Sequence, residues 1–180
     1  MSLLGVLRAD LNRQFTLRGE GPRQWSLATV LIASLSPRFM PVFNFRVGSW
    51  LARHRLRPLG KLFSLANFIF FGLEIALDAE IGPGLFFPHT VGTVLGAKRI
   101  GANAVIYHNV TVGAKVPDLR NEVDLRPEIG DDAFLGAGCK ILGPIVLGDR
   151  VTVGANAVVL TSFQTGSLVV GIPGRMISKD

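Results

Sequence analysis

Ile129, Leu135, Ile141, Leu147, Val153 and Val159 follow one another at a constant spacing of six residues. A helix places apolar residues three and four apart, and a half-buried strand places them two apart. A period of six belongs to neither. It suits a chain that turns a corner every six residues and sends one aliphatic side chain inward from each side, the pattern of a hexapeptide β-helix. The residue after the aliphatic is glycine at 130, 136, 148 and 154, and the fourth residue after it is small or apolar: Ala133, Cys139, Ile145, Val151 and Ala157. Upstream, Ile75, Ile81 and Phe87, then Val94, Ile100, Ile106 and Val112, extend the ladder, with one step of seven between Phe87 and Val94. That extra residue reads as a bulge or a loosened corner.

Three six-residue sides make a coil of about 18 residues, so the ladder predicts about four coils. Neighbouring coils hydrogen-bond at ~4.8 Å and stack their aliphatics into columns inside a narrow prism. The register breaks after Lys115, where residues 116–127 are polar and carry two prolines; this stretch is expected to project as a loop. Residues 1–73 carry no six-residue period. Segments 2–18, 24–35, 42–56 and 60–72 have apolar residues at helical spacing, punctuated by Gly21-Pro22, Pro37, Pro41 and Pro58. The expected organisation is therefore mainly β: an N-terminal helical, basic region over 1–73 and a parallel β-helix over 74–180.

The charge is divided unevenly between these parts. Residues 1–72 hold ten Lys or Arg against Asp10 and Glu20, whereas 73–180 hold nine bases and eleven acids. A basic, apolar arm on a near-neutral body points to contact with anionic lipid or an acidic substrate. No nucleic-acid reading motif accompanies it, and Tyr and Trp are scarce for base stacking, so a nucleic-acid partner is not expected. The apolar run 62–73 is shorter than the ~18–20 residues of a spanning helix, so any membrane contact through 1–73 would be peripheral, at the inner face. No secretory leader is evident. The lone cysteine, Cys139, excludes an intramolecular disulfide framework, in keeping with the cytoplasm, and occupies a small inward repeat position.

Chemistry centres on two histidines. His89 lies two residues after the inward Phe87, and His108 two residues after the inward Ile106. They are 19 residues apart, three sides plus the slip, which stacks them at one corner of successive coils. An imidazole is the natural general base toward a hydroxyl near neutral pH. A carboxylate would hold its tautomer, and Glu74, 15 residues before His89, lies in the preceding coil. A metal site is not expected, since no third ligand falls at a matching spacing. No GxSxG elbow supports a serine nucleophile.

The stretch 74–175 resembles serine O-acetyltransferases and their relatives, the hexapeptide O-acetyltransferases of surface-polysaccharide synthesis (colanic-acid type). The resemblance rests on His89-Thr90, YHNVTVGA (107–114), IGDDAFLGAGCKILG (129–143), VTVGANAVV (151–159) and VVGIPGR (169–175). It implies a left-handed coil, a homotrimer with sites in the clefts between subunits, and acetyl-CoA as donor. His89 matches the family's general base and Glu74 its partner acid, with His108 beside them. Gly113-Ala114, Gly136-Ala137 and Gly154-Ala155 match the walls of the pantetheine slot, and Arg175 a basic position near the CoA end. The chain also departs from the serine enzymes. Pro88 replaces the Asp before the base, and Asp124-Leu125-Arg126-Pro127 replaces Asp-Arg-His-Pro, leaving Asp124 and Arg126 as acceptor-binding candidates. On those departures, and on the short helical region, the expected acceptor is a sugar hydroxyl of a surface polysaccharide. Serine, as in cysteine biosynthesis, is the alternative, and a non-catalytic scaffold the second.

Overall fold

The computed structural model describes residues 1–117 and 122–177. Four helices come first: α1 (Leu3–Thr16), α2 (Leu27–Ala33), α3 (Met40–Arg53) and α4 (Arg57–Phe71). Ser2 and Ser26 cap α1 and α2, each hydroxyl accepting a backbone N–H from the first turn. Pro41 and Pro58 sit inside the first turns of α3 and α4, where a missing N–H costs no helical bond. Both helices therefore start earlier than the prolines suggested. α4 ends at Gly72, whose φ of 57° is the left-handed conformation that glycine adopts freely. α3 and α4 cross at Gly48 and Gly60, so closely that a Cβ on Gly60 would lie 2.5 Å from the Gly48 carbonyl oxygen.

Fourteen short strands follow: β1 (Leu73–Ile75), β2 (Glu80–Ile81), β3 (Thr93–Leu95), β4 (Arg99–Ile100), β5 (Val105–Ile106), β6 (Thr111–Gly113), β7 (Glu128–Ile129), β8 (Phe134–Leu135), β9 (Lys140–Leu142), β10 (Val146–Leu147), β11 (Thr152–Val153), β12 (Val158–Val159), β13 (Leu168–Val170) and β14 (Arg175–Ile177). They form three sheets in the orders β1-β3-β6-β9-β12, β2-β4-β7-β10 and β5-β8-β11-β13-β14, all parallel except the last pair. From β6 onward the chain visits the three sheets in rotation, which makes a three-faced coil. The inward columns are Ile75-Leu95-Val112-Ile141-Val159, Ile81-Ile100-Ile129-Leu147 and Ile106-Leu135-Val153-Val169. All of these side chains are buried. So are the small-position residues Ala133, Cys139, Ile145, Val151 and Ala157. Burial pushes the Cys139 thiol up to about 12, which keeps it an inert core group.

One rung differs from the sequence expectation. Val94 points outward, 38% exposed, while Thr93 and Leu95 point in. Leu95 pairs with Ile75 on one side and Val112 on the other, so the first coil is long and the second short. The slack is spread over two corners instead of being one inserted residue. The loop expected at 116–127 lies partly outside the described residues, at 118–121; its end forms a single 3-10 turn over Val123–Leu125. The Pro127 carbonyl then accepts the Lys98 N–H and re-enters the ladder.

The helices share one core with the coil: Leu7, Leu11, Val30, Phe39, Val42 and Phe45 join the coil's aliphatics. A buried ion pair fastens the two. Arg46 donates to both Asp10 carboxylate oxygens, at 2.8 and 3.0 Å, and to the Ile81 and Gly82 carbonyls at 2.6 Å. Asp10 also accepts the Gly84 and Leu85 N–H groups. Burial pushes its carboxyl above the ordinary range, against the opposing pull of Arg46 and these hydrogen bonds.

Candidate active site

The corner between the β5 sheet and the β1 sheet repeats on every coil. Two residues beyond the inward Phe87, Ile106, Leu135 and Val153 stand His89, His108, Ala137 and Ala155. The Gly138 N–H donates to the His108 carbonyl, and Asn156 N–H to that of Ala137, which locks this column from coil to coil. The His89 and His108 rings meet edge to face, centroids 5.7 Å apart and planes at 81°. His89 is exposed; His108 is half-buried, and its Nδ1 is a buried polar atom with no hydrogen-bond partner. A buried imidazole nitrogen left unsatisfied is a costly arrangement that a bound polar ligand would relieve.

His89 opens into a pocket of about 330 Å³ lined by Pro37, Arg38, Phe70, Phe71, Pro88 and Thr90. The Thr90 hydroxyl donates to the Phe71 carbonyl at 2.9 Å, joining this corner to the end of α4. The helical region thus supplies half the wall around His89. Nothing in the sequence pointed to Arg38, Phe70 or Phe71, because a contact between residues so far apart leaves no local periodic trace.

The remaining candidates lie elsewhere on the coil. Glu74 points outward from β1 and shares a cleft of about 400 Å³ with Gly113, Ala114 and Arg126, at the opposite edge of the same sheet. No hydrogen bond joins Glu74 to His89. The two are one coil apart, but Glu74 lies on a flat side and His89 at a corner, so the coil arithmetic alone does not make a dyad. Asp124 is 94% exposed and pairs with Lys98 at 3.3 Å. Gly136 is buried against the next coil, where a Cβ would come within 2.8 Å of the Ala155 N, so the wall beside the histidines stays flat through Gly154-Ala155. Such a strip of small residues fits a thin, extended pantetheine chain. Arg175 stands exposed on β14 at the far end of the coil, beside Leu160, Thr161 and Phe163. Among the described residues, no group of three or more His, Cys, Asp or Glu side chains is placed to hold a metal ion.

Comparison with known proteins follows this geometry. Residues 126–161 match the family model for the bacterial transferase hexapeptide (six repeats). A serine acetyltransferase of Helicobacter pylori (strain J99) is 40% identical over 150 residues, covering 81% of this chain and 84% of that one. The serine acetyltransferase of Staphylococcus xylosus is 38% identical over 140 residues, which span 77% of this chain and 63% of the relative. Among solved structures, the soybean serine acetyltransferase apoenzyme superposes with a TM-score of 0.81 at 32% identity, covering 98% of this chain and 69% of that one.

These relatives correct the expectation of a polysaccharide acceptor. The short helical region had seemed foreign to the serine enzymes, yet the likeness to the soybean structure runs through it, covering 98% of the chain. The colanic-acid affinity finds no support among these relatives, and serine, the alternative, is the acceptor they favour. With a hexapeptide coil, a paired-histidine corner and an H. pylori relative matched over 84% of its length, the chain belongs to the serine acetyltransferase family of hexapeptide-repeat acyltransferases.

Proposed function

We propose that this protein transfers the acetyl group of acetyl-CoA to the side-chain hydroxyl of serine. The observation that carries the reading is the His89–His108 contact, edge to face at 5.7 Å, at the mouth of the α4 pocket. His89 Nε2 or Nδ1 takes the hydroxyl proton as the oxygen attacks the thioester carbonyl. The tetrahedral oxyanion collapses, the C–S bond breaks, and the thiolate leaves as the CoA thiol after taking up the proton. The products are O-acetylserine and CoA. The His108 nitrogen without a partner is placed to hold a polar group of the acceptor.

The family resemblance supports a left-handed coil and a trimer, and the layout of the site gives the trimer a physical role. His89, His108, Ala137 and Ala155 occupy one edge of the β1 sheet, while Gly113, Ala114 and Arg126 occupy the other. One chain cannot bring these edges together. A neighbouring copy can, by setting its Arg126 edge against the His89 edge. Arg126 then meets the serine carboxylate, where Pro88 and Leu125 offer no charge. Glu74, facing that cleft, supplies the acid that steadies the imidazolium, and Asp124 flanks the entrance. Acetyl-CoA lies along the small-residue wall, with Arg175 toward its nucleotide end.

The test is thiol release from acetyl-CoA in the presence of L-serine, with neutral sugars as control acceptors. Serine-dependent release is expected, falling ~10²–10⁴-fold in His89→Ala while acetyl-CoA still binds. Release that is independent of serine, or a His89→Ala variant with near-normal turnover, overturns the reading.

A further inference from the structure

The outer face of α4 is apolar and uncovered. Leu62, Leu65 and Ile69 recur at three and four residues and are 60%, 52% and 63% exposed; Leu59, Phe68 and Phe70 widen the strip. The inner face of the same helix is used: Gly60 and Asn67 are buried against α3, where the Asn67 amide donates to the Pro41 carbonyl. So α4 packs inward through Gly60 and Asn67 and leaves its bulky apolar side chains outward, which a helix facing water has no reason to do. Leu35, at 73% exposure, lies just before Pro37 and Arg38, which line one pocket with Phe70.

Cations stand at both ends of this strip. Arg55 and Lys61 flank its beginning, and Arg38 its end beside Phe70. All three are exposed, with no ion-pair or hydrogen-bond partner among the described residues. The two acids of residues 1–72 offer them nothing, since Asp10 is bound to Arg46 and Glu20 to Arg23. We propose that α4 docks flat on an anionic lipid bilayer, with Leu62, Leu65, Ile69 and Phe70 entering the acyl boundary and Arg38, Arg55 and Lys61 meeting lipid phosphates.

Charge decides between this occupant and a second copy meeting it α4 to α4. Two copies meeting through this face would bring two strongly basic helical regions together, each with ten bases against two acids. An anionic bilayer offers apolar depth and countercharge at once, and each cation near it adds attraction. Spanning is excluded on length: the 15 residues of α4 reach ~22 Å, short of the ~30 Å hydrocarbon core. Phe70 and Arg38 also line the His89 pocket, so the docking is tested on Leu65, Ile69, Arg55 and Lys61, which lie outside that lining.

The experiment is sedimentation of the full-length protein with phosphatidylcholine vesicles, with and without phosphatidylglycerol. Binding to the anionic vesicles is expected, weakened by added salt and reduced at least ~10-fold by the pair Leu65→Glu and Ile69→Glu, whose exposed positions leave the circular dichroism spectrum unchanged. Lys61→Glu with Arg55→Glu should lower binding without touching the apolar strip. Failure to bind anionic vesicles, equal binding to neutral ones, or undiminished binding by the Glu variants overturns the proposal. So does self-association through this face, seen as a light-scattering mass that rises with concentration and falls in Leu65→Glu/Ile69→Glu.

Discussion

The histidine pair is the part of the molecule where single side chains matter most, and its two members are unequal. His89 is open to solvent, whereas His108 is tucked behind it with a buried, unpartnered Nδ1. A nitrogen that waits for a ligand should show itself in binding. His108→Ala is expected to raise the KM for the acceptor about tenfold, the worth of roughly one hydrogen bond, with a smaller change in kcat; steady-state kinetics over a range of serine concentrations reads the split. The juxtaposition of the two rings was legible in the sequence, because each follows an inward anchor by two residues and the anchors are one coil apart. The same arithmetic puts Glu74 within a coil of His89 but does not say whether a residue lies on a side or at a corner, and Glu74 lies on a side, facing the Arg126 cleft. Arg38 gave no sign at all, since only the folded helical region carries it to His89.

At the scale of elements, the ladder from Ile129 to Val159 could be read residue by residue, since one wrong residue in six would have broken it. The region between Phe87 and Ile100 could not. Val94 and Leu95 are both aliphatic, and with slack in two corners the spacing alone does not choose which one turns inward. The join between helices and coil was also invisible: Asp10 looked like a break in an amphipathic segment, yet it is the anchor. Arg46 reaches it from α3 and spends its remaining donors on the first coil. Asp10→Asn would leave that guanidinium buried beside a neutral amide, and removal of one member of a buried pair costs about 3–5 kcal/mol. The expected result is a lower urea midpoint with an unchanged slope. A milder effect belongs to the exposed Arg57–Asp78 pair, where the guanidinium hydrogen bonds hold the Asp78 carboxyl below its usual range. Its contribution is present above the ordinary carboxylate range and fades as pH falls through the lowered value, by no more than about 1 kcal/mol. Asp78→Asn should flatten that part of the acid limb.

For the molecule as a whole, the proposed site, with its residues split between two edges of one sheet, requires assembly for activity. Size-exclusion chromatography with light scattering should give three times the 19.4 kDa chain mass. Co-expression of His89→Ala chains with Arg126→Ala chains, each weak alone, should restore activity in mixed trimers at up to about a quarter of the sites. Absence of any recovery would place both residues in one subunit's site. Parallel ladders, meanwhile, have no natural end, and a bare last rung invites another chain to continue it. Here the chain reverses after β13: β14 runs back along it, and the Gly174 N–H occupies the Val158 carbonyl that a further coil would need. β14 thus lies over the last rung of the β5 sheet, and a further parallel coil would have to displace it before it could pair there.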